Sequence, residues 1–185
     1  MNIDKDSETV KYQMMKDLHE MLTYKKIEYF IESDTLLDAV VHNQLSGKKQ
    51  FILSVQTNYK DSIESLRKFF SLLGYILTSK SYGYDISHKK WPDRPYIFIN
   101  FVNFKQLNID SNDKYVVYDK INTPYNLFIS KLYPLKLYKL GPLKLYGPNQ
   151  YKNYLSYNFT EWSTMERIES EYPKNLKKRV EKIFN

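Results

Sequence analysis

Glu32, Asp34 and Asp38 put three carboxylates around one turn, Ser33-Asp34. Asp34 and Asp38 are four residues apart and so share a helical face. With Asn100 from a later strand as a neutral oxygen donor, they could hold a divalent cation. The competing reading is structural: Asp34 or Ser33 caps a helix, and Asp38 is solvated. His42, at the far end of the same segment, could bind phosphate or orient a neighbour, although a lone histidine more often serves structure. A second candidate is HKKWPDRPY, 88–96, where Lys89, Lys90, Trp91, Arg94 and Tyr96 offer cations and aromatic rings to a base or a sugar. The bland alternative is a loop whose Trp tucks into the core. Tyr133, Tyr138, Tyr146, Tyr151, Tyr154 and Tyr157 could line a glycan groove, but a chain with 18 Tyr makes such a run unsurprising.

Other chemistries have no foothold. The absence of Cys removes disulfides, thiolate nucleophiles and Cys-based zinc sites. No Ser/His/Asp order, zinc-ligand spacing or phosphate-binding P-loop occurs.

The elements that must position these residues follow from periodicity. Val10, Met14, Leu18, Met21 and Leu22 recur at helical spacing and predict an amphipathic helix over about 8–24. IEYFIE (27–32) predicts a strand, and TLLDAVVHNQL (35–45) a helix. QFILSVQ (50–56) predicts a strand apolar on both faces at its centre. A helix over 61–73 follows, with Asp61 and Glu64 spaced as a capping box and Gly74 as its stop. Ile63, Leu66, Phe69, Phe70 and Leu73 line its expected buried face. YILTSK and YGYDISH predict hairpin strands, RPYIFINFVNF (94–104) the longest strand, and KYVVYDKI (114–121) another. Beyond that, Pro and Gly punctuate an irregular C-terminal part in which PLKLY occurs twice, at 134–138 and 142–146. A short helix is expected over 149–159.

The chain has 185 residues, 42% of them hydrophobic, which suits a single domain with a real core over 1–185, residues 1–7 forming a flexible N-terminus. Net charge is +7. A polyanion partner such as nucleic acid, or only a basic solvated surface, accounts for that. The densest cluster is Lys174, Lys177, Lys178, Arg179 and Lys182. The polar, acidic N-terminus does not resemble a signal peptide, and no apolar run reaches the roughly 18 residues of a membrane span. A cytoplasmic, soluble protein is expected. The fold class is α/β (α+β), with a mixed sheet.

The order of segments resembles the LicD/fukutin family, whose members have a nucleotidyltransferase fold. DTLLDAVVH (34–42) stands where the family carries a Gly-Thr-Leu-Leu-Gly-Ala-Val-Arg-His pattern. SLLGYIL (71–77) matches its helix end, and PYIFINFVNF (95–104) a later strand. The C-terminal signature matches through Pro148, Tyr154, Leu155, Tyr157 and Trp162. The resemblance covers about residues 10–165. It implies transfer of a phospho-sugar alcohol or phosphocholine-type group from a cytidine nucleotide to a glycan, with carboxylates on two adjacent strands holding the metal. Here the ungapped alignment puts Lys49, Gln50, Phe51 and Leu53 at the first carboxylate segment and Asn100 at the later one. No Asp or Glu occurs between residues 46 and 60. Val41 replaces the family arginine, and Asp34 and Asp38 replace its two glycines, which opposes phosphate at the turn.

The resulting expectation is a degenerate, non-catalytic relative, vestigial at Gln50, Phe51, Leu53 and Asn100. Ser33, Asp34, Thr35, Asp38, His42, Trp91 and Arg94 are its ligand-binding candidates. A glycan-related ligand or a protein is the expected partner, and no cofactor is expected. The rival is an active nucleotidyl- or phosphotransferase using Mg²⁺ or Mn²⁺ at a relocated site of Asp34 and Asp38. A third reading is a basic nucleic-acid-binding module.

Overall fold

The computed structural model describes residues 3–46, 50–106, 113–118 and 124–165. The basic cluster at 174–182 lies outside them, as do Lys48 and Lys49.

The fold is mixed α+β. Helix α1 (Ile3–Tyr24) leads to strand β1 (Tyr29–Ile31), helix α2 (Ser33–Val41) and strand β2 (Phe51–Gln56). Two short helices, α3 (Lys60–Glu64) and α4 (Arg67–Leu72), precede strands β3 (Tyr75–Ser79), β4 (Gly83–His88) and β5 (Trp91–Lys105). Strands β6 (Tyr115–Tyr118) and β7 (Pro124–Phe128) and helix α5 (Ile129–Leu132) come next. A separate hairpin, β8 (Lys136–Leu140) with β9 (Leu143–Gly147), and helix α6 (Lys152–Asn158) follow.

The main sheet has seven strands in the order β1-β2-β5-β4-β3, with β6 added to β5 and β7 to β6. Strands β2 and β5 run parallel, and the other neighbours are antiparallel. The strands predicted over 27–32, 50–56 and 94–104 are β1, β2 and β5, neighbours in this sheet. Register then decides which side chains share a face. Phe51 pairs with Ile97, Leu53 with Ile99 and Val55 with Phe101. All six are buried and form the face that meets α1, where the Tyr12 ring stands edge-on to Phe51 at 5.3 Å between centroids. Met15, Leu18 and Leu22 complete that packing from α1. The opposite face of β2 carries Ile52, Ser54 and Gln56, so its centre is polar rather than apolar on both sides.

Several expected elements differ in extent. Helix α1 begins at Ile3, ahead of its expected start. Helix α2 starts at Ser33 and ends at Val41, with Glu32 as its N-cap residue in place of the expected Ser33 or Asp34; the Glu32 side chain makes no cap bond. The helix expected over 61–73 is broken in two. The Ser65 hydroxyl donates back to the Ser62 carbonyl, and the Leu66 amide bonds Ile63 three residues earlier, tightening the turn between the halves. The break re-aims the second half: Ile63, Leu66 and Phe70 stay inside, while Phe69 and Leu73 turn outward. No capping box forms, since Glu64 serves Arg67 and Tyr84 instead. HKKWPDRPY is not a loop but a tight turn at Lys89-Lys90 and the start of β5, with His88 opposite Trp91.

The C-terminal part is more regular than its Pro and Gly content suggests. The two PLKLY copies contribute the two strands of the β8–β9 hairpin, with Leu137 opposite Tyr146 and Tyr138 opposite Leu145. Gly141 turns the hairpin at φ +61°, and its amide donates to the Asn43 carbonyl. A side chain at Gly147 would strike the Tyr138 ring, so the hairpin closes there only over glycine.

Candidate functional site

The centre of the site is Glu32, the residue between β1 and α2. Its side chain is fully buried. Oε1 accepts from the Ser54 hydroxyl at 2.7 Å and from the Asn100 amide at 2.5 Å. Oε2 accepts from the Tyr118 hydroxyl at 2.8 Å. The geometry follows from the strand register: Ser54 stands opposite Asn100 across the parallel β2–β5 pair, both on the face away from α1. Tyr118 comes from β6, paired with Val102 two residues along β5. The backbone fixes the acceptor, because the Glu32 amide donates to the Ile52 carbonyl and the Glu32 carbonyl accepts the first helical bond of α2 from Leu36. A carboxylate withdrawn from water needs such donors. These three occupy about three of the four acceptor positions a carboxylate offers.

The acidic cluster read from the sequence is thereby split. Glu32 and Asn100 do come together. Asp38, also fully buried, instead accepts from the Ser46 amide at 2.8 Å and from the Ser46 hydroxyl, tying the end of α2 to the segment that leads into β2. It is not the solvated acid the sequence suggested. His42 follows α2, its Nε2 3.9 Å from Asp38 Oδ1, so its position relates to that tie. Asp34 lies in the first turn of α2, partly exposed. Thr35 is spent on the strand: its hydroxyl accepts from the Ile52 amide at 2.7 Å and faces the Gln50 carbonyl.

The turn that would meet an anion is also filled. Ser33 has φ +50°, in the left-handed region that favours glycine, one residue earlier than the aligned glycine position at Asp34. Its amide, the first of α2, donates to the Tyr154 hydroxyl from α6 at 2.9 Å.

The predicted vestigial set needs one correction. Phe51 and Leu53 cannot share a site with Asn100, because alternation along β2 turns them into the core. The residues on the Asn100 side are Gln50, Ile52 and Ser54. Ser54 and Tyr118 were not singled out in the sequence. The available signal for Ser54 was a lone hydroxyl inside an apolar strand; Tyr118 had none among so many tyrosines.

Whether the set fits a divalent cation depends on its donors. A hard cation takes several oxygens, with more than one carboxylate to offset its charge. This set has one carboxylate, whose oxygens already accept from neutral groups. Among the described residues no three His, Asp or Glu side chains gather as a cation set. The residues do not fit the metal of the resembled enzymes.

The other candidates lie apart from this centre. Trp91 packs its ring on His88 at 5.5 Å and edge-on to Tyr96 at 6.5 Å, and Arg94 is exposed nearby on the strand. Burial, helped by Lys90, keeps the His88 imidazole below its ordinary pKa. At the C-terminal end, Tyr151 stands edge-on between Tyr138 and Trp162, both centroids 5.9 Å away. Burial, with the Tyr151 phenol beside it, pushes the Tyr138 phenol up to about 12.

No family model matches the chain. It is 34% identical over 168 residues to an uncharacterized protein of Rickettsia prowazekii, a match covering 89% of the chain and 59% of that protein. It is 32% identical over 159 residues to an uncharacterized protein of Rickettsia typhi, covering 82% of the chain and 46% of that protein. The chain thus spans about half the length of the curated relatives it matches.

Proposed function

We propose that the chain is a non-catalytic, LicD/fukutin-like nucleotidyltransferase-fold protein that acts by binding, linked to glycan or phospho-glycan modification. The observation that carries the reading is the Glu32 centre. Where the resemblance would put a two-strand carboxylate pair, β2 and β5 offer Ser54 and Asn100, and both donate to the single carboxylate between them. Such an arrangement is closed on itself and leaves no charge set for a metal-bound nucleotide. The Tyr154 hydroxyl on the first amide of α2 supports the same reading, because it takes the place a phosphate oxygen would have. The partly exposed aromatic row of Tyr138, Tyr151 and Trp162 offers ring faces and edges to a glycan-related ligand.

The test has two arms. The first titrates CTP with Mn²⁺ and follows the melting temperature; the reading expects no shift. The second follows Trp fluorescence during titration with phosphorylated oligosaccharides; the reading expects a saturable change that Trp162→Ala removes. Metal-dependent stabilisation by CTP would overturn the non-catalytic reading. A flat fluorescence titration would remove the glycan link.

A further inference from the structure

Helix α4 leaves Phe69, Leu72 and Leu73 at 55%, 83% and 48% exposure. They stand at i, i+3 and i+4 and therefore on one helical face. The other large exposed apolar side chains described, such as Tyr24, Leu137 and Tyr157, belong to other elements, α1, β8 and α6. Single exposed apolar residues are ordinary, but three on one turn are not.

The surroundings of this face are basic. Lys68 is exposed and precedes Leu72 by one helical turn. The β4–β5 turn lies against the end of α4: the Lys89 ammonium donates to the Ser71 carbonyl and the Lys89 amide to the Gly74 carbonyl. Lys90 is exposed beside it. The sequence has no carboxylate from Leu66 to Gly74 or from His88 to Pro92. Glu64, one turn before Lys68, is held by Arg67 and Tyr84.

We propose that this face, with Phe69, Leu72 and Leu73 at its centre and Lys68, Lys89 and Lys90 at its rim, docks on an anionic lipid surface. Charge complementarity selects that occupant. Apolar side chains that protrude beside ammonium groups suit the boundary of a bilayer, where the apolar groups enter the acyl region and the lysines meet anionic headgroups. A second copy of the chain would bring the same lysines against one another. The inference is independent of the Glu32 centre.

The test is co-sedimentation of the whole chain with vesicles of phosphatidylcholine alone and of phosphatidylcholine with roughly one third phosphatidylglycerol. Binding is expected to the anionic vesicles only and to weaken as salt is raised. Phe69→Ser/Leu72→Ser, which keeps the charge, should weaken partitioning about tenfold or more. Lys89→Gln/Lys90→Gln, which keeps the apolar face, should weaken it by a similar factor. Unchanged circular dichroism would establish that the variants are folded. Absence of binding to anionic vesicles, equal binding to neutral ones, or binding undiminished in both variants would overturn the proposal. So would a concentration-dependent dimer that the Ser variant dissolves in the absence of vesicle binding, which would assign the face to a second copy.

Discussion

Ser54 and Asn100 stand opposite one another on parallel strands and donate to the same oxygen of Glu32. One carboxylate thus ties β2 to β5. Tyr118 adds β6 through the other oxygen, so four segments depend on one side chain.

Glu32→Ala should therefore be among the more damaging single changes. It leaves the Ser54, Asn100 and Tyr118 donors without their acceptor, at about 1–3 kcal/mol for each that water cannot reach. Glu32→Gln should cost far less. Its carbonyl can still accept from Ser54 and Asn100, and the Tyr118 hydroxyl can rotate to accept from the new amide. Urea midpoints of the two variants measure the difference; equal losses would mean that the acceptor geometry contributes little.

Asn100→Asp puts a second carboxylate against Glu32. The two repel once both are ionised, so this variant should lose stability as pH rises through the carboxylate range. Adding Ser54→Asp should worsen the loss without metal and make stability responsive to Mn²⁺. Phe51→Asp/Leu53→Asp should instead fail to fold, because both positions face the core. Melting temperatures at several pH values, with and without Mn²⁺, separate these outcomes. An Mn²⁺ response from the Phe51/Leu53 variant would contradict the assigned face.

Much of the architecture was legible because periodicity is a local property. Alternation in 95–104 put Asn100 opposite in direction to Ile99 and Phe101, and that is how β5 presents it. What was not legible depends on contacts between distant segments. An ungapped alignment cannot see that Phe51 and Leu53 share a face with Ile97 and Ile99; only the strand register decides it. Phe69 and Leu73 fit a continuous helix equally well from inside or outside, until the turn at Ser65-Leu66 rotates them away. The paired PLKLY copies predict an irregular segment, because Pro and Gly mark the ends of short strands as well as their absence. Glu32 was visible as an acid near the turn, but its role rests on Tyr118, 86 positions away.

Asp38 provides a contrast with Glu32. Asp38→Ala should cost about 1–3 kcal/mol through the orphaned Ser46 amide. It should leave the response to metal and nucleotide unchanged, since its carboxylate serves the segment after α2. A stabilisation by Mn²⁺ that Asp34→Asn or Asp38→Asn abolishes would instead support a relocated cation site.

The Glu64–Arg67 pair supplies a pH dependence. The Arg67 guanidinium and then the Tyr84 hydroxyl hold the Glu64 carboxyl down at about 2, below its ordinary 4.5. A depressed carboxylate stabilises the fold above its unfolded-state pKa, and that contribution is lost as pH falls from there toward 2. Solvent screening of this half-exposed pair keeps the effect small. Glu64→Gln should lower stability slightly at neutral pH and above, where the pair is fully formed, and flatten the acid limb of stability against pH. An unchanged acid limb would mean that the pair is open in solution.

The central claim is that the Glu32 centre replaces a metal–nucleotide site. Its most direct measurement is the melting temperature of the unmodified chain during titration with Mn²⁺ and CTP. A ligand at about 100 times its dissociation constant adds roughly 2.7 kcal/mol of stability, a readily resolved shift. The account predicts none with Mn²⁺ and CTP together. A saturable upward shift that requires both, and that Glu32→Gln abolishes, would contradict it and make Glu32 a ligand of an active centre.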